Sequence, residues 1–258
     1  MPTSFFGWVV FLAEKYGPLF LRGTWVTMVI AVSGTALGFL IGLLVAILRT
    51  LRPAPRARFV PRAGLWVLRA LLGVYIEVFR GTPMIVQAMV IYYGAAQYLH
   101  LNLDALVSAV LIVSINTGAY MAEIVRGGIV SVDGGQREAA QSIGLTHWQT
   151  MTAVVLPQAV RNIMPSIGNE FVVNIKDSSV LNVIAVSELF FMSKSAAGTY
   201  LRYFEVFFIT GVIYLLLTFT VTRLLRLIEK RMDGPEHFTV FGSQSDSRAT
   251  IAWPKGEG

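Results

Sequence analysis

The chain has 258 residues, of which 55% are hydrophobic and 14% charged. Its mean hydropathy of +0.63 excludes an ordinary soluble domain of this length and predicts an all-helical, polytopic membrane protein. There is no cysteine, which excludes disulfides, thiolate metal sites and a cysteine nucleophile. The net charge of +6 comes from arginines beside apolar runs, so it reads as a topology signal and not as a nucleic-acid footprint.

The first stretch, MPTSFFGWVVFLAEKYGPLF, has an apolar run that ends at Glu14, too short to cross a bilayer. It lacks the basic leader and small-residue cleavage site of a signal peptide. An interfacial helix stopping near Gly17-Pro18 is expected, with residues 1–21 an interfacial or extracytoplasmic segment. Residues 22–232 are then expected to hold about five transmembrane helices. Gly23 to Leu48 contains no ionisable residue and is the clearest span, since about 20 helical residues cross the hydrocarbon. Gly81 to Leu103 and Ala105 to Ala122 follow as a helical hairpin turned at HLNLDA. The preceding stretch WVLRALLGVYIEVFR is amphipathic and can lie along the inner surface or extend the second helix. A fourth span, about Asn162 to Ser187, is interrupted by Glu170, Lys176 and Asp177, and charges inside a span mark function. The fifth runs from Val206 to Thr222.

Basic residues set the orientation. Arg49, Arg52, Arg56, Arg58, Arg62 and Arg69 stand between the first two spans with no acid among them, and Arg223, Arg226, Lys230 and Arg231 close the last. By the positive-inside rule both flanks are cytoplasmic, so the N-terminus is outside and the C-terminus inside. Residues 123–161 then face the cytoplasm. The tail 233–258 has turn formers and no periodicity, and is expected to be a disordered cytoplasmic tail.

The stretch GGQREAAQSIGLTHWQTMTAVVLPQAV, residues 134–160, is a polar insert in an oily chain. Gln136 to Ile143 favour a helix that Gly144 can end in the left-handed conformation. Thr146, with Gln149 three residues on, has the spacing of a capping box for a second helix, expected to end before Pro157. Two short helices bent at a glycine make a stiff peg for another protein, with small Ala139 and Ala140 allowing close approach and Glu138 offering a charge. A plain connecting loop lying on the membrane surface is the alternative.

The pattern Glu138-Ala139-Ala140, three residues, Gly144, nine residues, then Val154-x-Leu156-Pro157 resembles the EAA signature of ATP-binding cassette (ABC) importer permeases, with Val154 in place of the usual Ile. LRGTWVTMVIAVSGTALGFLIGLLVAILR, YIEVFRGTPMIVQ, INTGAYMAEIVRGGI and LPQAVRNIMPSIGNEFVVNIKDSSV also resemble the polar amino acid subfamily. Together these stretches cover most of residues 20–232. The resemblance implies a type I importer permease of a bacterial inner membrane, with residues of about 127–157 as the loop that couples it to a cytoplasmic ATPase. Glu138, Ala139, Ala140, Gly144, Leu156 and Pro157 are the coupling residues it implies. It further implies a second permease chain, identical or similar, and an extracytoplasmic amino-acid-binding protein, with ATP and Mg on the ATPase and no cofactor here. The chain has no phosphate-loop motif, H-E-x-x-H or G-x-S-x-G, so no catalytic residue is assigned and it is not expected to be an enzyme.

Substrate contacts are read from the fourth span. Glu170, Asn174 and Asp177, at i, i+4 and i+7, share a helix face. Glu170 and Asp177 can receive an ammonium or a basic side chain, and Lys176 a carboxylate, a pairing that suits a zwitterionic amino acid such as glutamine, glutamate or a basic one. A structural ion pair or a dimer contact is the alternative for Glu170, and snorkelling for Lys176 and Asp177. Gln87, an amide in an apolar run, can line the path or bond to a neighbouring helix. Glu123 and Arg126 are expected to pair locally, and Gly34, Gly38 and Gly42 to mark close helix packing. His147 and Trp148 can touch the ATPase or anchor the loop at the lipid interface. His100 stands alone, so no metal site is assigned. An ion-gradient-driven secondary transporter or a passive channel is the rival function. The first lacks a visible inverted repeat here, and the second needs no docking loop.

Overall fold

A computed structural model describes residues 2–50 and 59–232. Among these the chain is helical throughout, with no strand. Three helices are long and apolar enough to cross a membrane, and a bent pair makes up to four such spans.

Helix α1, Phe5–Thr50, is continuous over 46 residues. The expected stop at Gly17-Pro18 does not occur, and Pro18 lies inside the helix. A proline interrupts one backbone hydrogen bond, but tertiary packing can carry the helix across the gap. Here Trp8, Leu12 and Phe20 are buried in one cluster with Leu189, Ala197 and Val206, which holds both sides of the proline against the same partners.

The core of the fold is the pairing of α1 with α4, Ala105–Val130. Gly34, Gly38 and Gly42 face Val113, Thr117 and Met121; a β-carbon on each would lie 2.4, 2.7 and 2.4 Å from those side chains. The small-residue series is therefore a packing seam, as its spacing suggested. Asp104 caps α4, accepting from the backbone N–H groups of Leu106 and Val107.

Helices α2, Phe59–Gly81, and α3, Met84–Tyr98, are separated by a break at Thr82-Pro83. The amphipathic stretch thus forms a helix of its own, and α3 is only 15 residues long. The break follows from Pro83, which disfavours the helical conformation at the residue before it. Helix α5, Gly134–Ser142, and the single turn α6, His147–Thr150, make up the polar insert. A π-helical turn, Met151–Val155, joins α6 to α7, Leu156–Asp177. The second helix of the insert therefore runs on past Pro157 instead of ending before it. Pro157 falls in the first turn of α7, where its missing N–H costs little, and the π turn changes the hydrogen-bond register just ahead of it.

Helix α7 passes into a 3-10 segment, Ser178–Ile184. It is followed by α8, Leu189–Tyr200, bent by 57° from it. Helix α8 lies outside the five expected spans. Its N-cap is Glu188, a fully buried carboxylate that accepts from the N–H groups of Phe190 and Phe191 at 2.8 and 2.7 Å and from the Tyr214 hydroxyl at 3.0 Å. Left-handed Ala185 and Leu201 bracket the element. Helix α9, Tyr203–Met232, ends the described chain. Arg52, Arg56 and Arg58 and the tail 233–258 lie outside the described residues.

Candidate functional site

Two regions carry polar chemistry: the exposed insert, and a pocket between α4 and α7.

The insert is built as a rigid corner. Gly144 adopts φ +88°, and Leu145 N–H closes onto the Ala140 carbonyl, the hydrogen bonding of a glycine-terminated helix. Thr146 and Gln149 form a reciprocal capping box at the start of α6. Val132, Val155 and Ala159 are buried together beneath the corner, with Met151 and Ile129 packed against them. Ala140 is buried, while Glu138, Ala139, Gly144, Leu156 and Pro157 are exposed. Ile143 and Trp148 are 78% and 75% exposed. The outer face is thus an apolar and acidic patch on a stiff support.

Beyond the insert, α7 carries the expected polar stripe, but its members have different surroundings. Asn174 is 3% exposed. Its amide donates to Thr35 Oγ1 on α1 at 2.9 Å and to Thr117 Oγ1 on α4 at 3.0 Å, so it ties three helices together. Glu170 is half-buried and lines an open pocket of about 440 Å³ with Ile124, Pro165, Ser166 and Asn169. Asp177 is half-buried at the C-terminal end of α7. Lys176 is exposed and lines a groove with Thr218, Thr222, Arg223 and Arg226 of α9. Neighbouring residues on a helix project about 100° apart, so adjacent charges face different partners.

Gln87 is 6% exposed and braces the break between α2 and α3. Its amide nitrogen donates to the Phe79 and Thr82 carbonyls at 3.0 and 2.9 Å, and its oxygen accepts from Asn116 Nδ2 at 2.9 Å. Asn116 also reaches the Phe79 carbonyl, so the backbone group left without a helical partner at the break is satisfied. One turn before the break, the Arg80 guanidinium lies 5.5 Å from the centre of the Tyr120 ring on α4.

Near the insert, Glu123 pairs with Arg126 at 2.8 Å, as its spacing suggested, and also with Arg49 at the end of α1 at 2.8 Å. The second bond clamps α1 to α4 below the glycine seam. No cluster of histidines and carboxylates able to hold a metal occurs among the described residues.

Comparison with known proteins places this geometry. The model of a family described as "binding-protein-dependent transport system inner membrane component" matches residues 59–234. The chain is 38% identical over 216 residues to the glutamine transport system permease protein of Escherichia coli strain K12, covering 83% of this chain and 93% of that one. It is 32% identical over 217 residues to the arginine transport system permease protein of Bacillus subtilis strain 168, with the same coverages. Among solved structures, an amino acid ABC transporter crystallised with histidines superposes with a TM-score of 0.76 at 37% identity, over 90% of this chain and all of that one. An inward-facing structure of a methionine ABC transporter superposes with a TM-score of 0.68 at 19% identity, over 85% of this chain and 98% of that one, a likeness of fold.

Proposed function

Because this chain belongs to the family of inner-membrane components of binding-protein-dependent transport systems, we propose that it is the permease subunit of an ABC importer that moves a polar amino acid into the cytoplasm. Glutamine and basic amino acids are the cargoes that its relatives' names suggest. We infer five membrane crossings, counting α2 with α3 as one broken span and α7 with the 3-10 segment as another, with the N-terminus outside and the insert inside. The chain works with a second permease chain, an external amino-acid-binding protein and a cytoplasmic ATPase that holds ATP and Mg. A gradient-driven carrier or a channel is disfavoured by the family.

One observation carries the coupling part of this reading. The exposed corner at Glu138–Gly144 meets α6 through the short capped turn at Leu145–Thr146, and α6, the π turn and α7, which carries Glu170, then follow one another without a break. A displacement of the corner by the ATPase therefore moves the wall of the cleft as a rigid lever. Glu138, Ala139, Ala140 and Gly144 supply the docking contact, and Leu156 and Pro157 its junction with α7. Glu170, with Asp177 further along the same face, lines the path and receives the substrate's positive charge. Asn174 and Gln87 keep the cleft in shape, and Lys176 faces the α7–α9 groove.

The test is uptake of labelled amino acids by proteoliposomes containing the permease, its ATPase and its binding protein. Uptake of one or a few amino acids that requires internal ATP is expected. Uptake that persists without ATP under an ion gradient overturns the reading in favour of a secondary carrier. Glu170→Ala is expected to raise the KM or lower the rate of ATP-driven uptake at least tenfold with normal assembly, and unchanged kinetics would return Glu170 to a structural role.

A further inference from the structure

We propose that the groove between α7 and α9 binds an anionic glycerophospholipid where α9 leaves the membrane. The lipid is distinct from the cargo, and the inference rests on the reading of this chain as a membrane-embedded permease.

The two helices touch at Gly168, where a β-carbon would lie 3.1 Å from Leu225 Cδ1. Beside this contact runs a groove in two adjoining parts, of about 260 and 180 Å³, which share Val172, Thr222 and Arg226. Lys176 of α7 and Arg223 and Arg226 of α9 line it, all three exposed. Glu229 is the acid among its lining residues. The ion pairs among the described residues are Arg49 with Glu123, Arg126 with Glu123 and Arg202 with Glu205. Asp177 follows Lys176 in the chain and Glu229 lies one turn from Arg226, but neither closes a pair. Cations gathered from two helices without acids at pairing distance repel one another and favour an anion between them. The Arg223 guanidinium is steadied at the groove edge, 4.9 Å from the centre of the Phe219 ring.

The depth of the groove selects the kind of anion. Val206 to Thr222 carries no charge, so Arg223 stands where α9 leaves the hydrocarbon and Arg226 lies further out. Lys176 lines the part of the groove that also holds Leu215, Thr218 and Phe219. Thr218 is about 7 Å deeper than Arg223 at the ordinary helical rise, a distance that the lysine stem can span to bring its ammonium towards the arginines. Leu215, Phe219 and Val172 supply an apolar wall for an acyl chain. A phospholipid with its phosphate at the arginines and one chain along that wall fills both levels, as anionic headgroups do in basic pockets between membrane helices. The Thr218 and Thr222 hydroxyls donate to carbonyls one turn back at 2.9 and 2.6 Å, so their lone pairs are left to accept from headgroup hydroxyls. An ethanolamine headgroup would bring an ammonium against three cations. A glycerol headgroup, net negative and rich in hydroxyls, is the better fit.

The experiment is native mass spectrometry of the purified permease–ATPase complex titrated with phosphatidylglycerol and with phosphatidylethanolamine. The wild-type complex is expected to prefer phosphatidylglycerol at least threefold. The double variant Arg223→Gln, Arg226→Gln is expected to lose that preference. The control Lys230→Gln, Arg231→Gln removes the same charge from the same helix outside the groove, and is expected to keep it. Equal loss in both variants shows diffuse attraction to a basic helix end and overturns the proposal, as does a wild-type preference below threefold. A second readout leaves the groove's charges in place. Thr222→Cys, the only thiol in the chain, is labelled with a photoreactive maleimide and irradiated in liposomes of both lipids. Adducts enriched in phosphatidylglycerol over its mole fraction are expected. Cross-links to the second permease chain or the ATPase in their place show that protein fills the groove, and overturn the proposal. ATP-driven uptake in wild-type liposomes scores the permease reading separately: a complex that prefers phosphatidylglycerol but transports no amino acid sinks that reading and leaves the lipid site standing.

Discussion

Asn174 and Glu170 sit one helical turn apart, and their environments assign them opposite duties. Asn174 is enclosed by Thr35 and Thr117, so removing its amide leaves buried hydroxyls without a partner. Asn174→Ala is expected to destabilise the protein by about 1–3 kcal/mol, read as a lower unfolding temperature in detergent, without changing which amino acid is carried. A variant that keeps wild-type stability but changes selectivity would place Asn174 in the path instead. The helical period showed that residues 170, 174 and 177 share a face. It could not separate a strut from a pocket wall, because that depends on Thr35 and Thr117, which are remote in sequence from Asn174. Gln87 was ambiguous for the same reason: its partners Phe79 and Thr82 are close in sequence, but Asn116 comes from another helix.

The elements show a division between seams and levers. The α1–α4 seam leaves no room for side chains at its glycines, since a β-carbon at Gly42 would also lie 2.8 Å from the Ala122 backbone nitrogen. Gly42→Leu is expected to prevent folding of the pair and to lower the yield of membrane-inserted, detergent-extractable protein severalfold. Normal yield and stability would show that the helices can separate at no cost. The proposed lever is the insert with α7. Glu138 is exposed on it, so Glu138→Lys is expected to leave folding intact while abolishing ATP-driven uptake and co-purification of the ATPase. Retention of both would remove the docking role. The capping box and the turn at Gly144 were legible because both are local in sequence. The passage through Pro157 was not, because it depends on a π turn supported by Val132 and Ala159 beneath it.

For the whole molecule, the absence of cysteine makes topology directly measurable, since each introduced thiol is the only one present. Ser4→Cys, before α1, is expected to react with a membrane-impermeant maleimide from outside intact cells. Ser142→Cys, in the insert, is expected to react only after the inner face is opened. The reverse pattern would invert the topology and place the docking face outside. Large apolar side chains remain exposed along α1, α2 and α9, among them Leu40, Leu44, Trp66, Leu71, Leu215 and Leu216. They match a surface covered by lipid or by a second permease chain.

Composition and charge placement by themselves determined an all-helical membrane protein, and the charged insert and the intramembrane acids marked the two candidate places for its action. These signals are local: a run of apolar residues, a capping pair, a glycine before a helix or a carboxylate in an oily segment declares itself within a few turns. Only the tertiary structure decided that α1 continues through Pro18, that α8 forms behind the buried cap of Glu188, that Asn174 is a strut and that Gln87 and Asn116 brace the break between α2 and α3. Each of these depends on partners brought together from distant parts of the chain. In a bundle where lipid and protein interior are equally apolar, specific polar contacts and close packing choose among arrangements that hydrophobicity leaves equivalent.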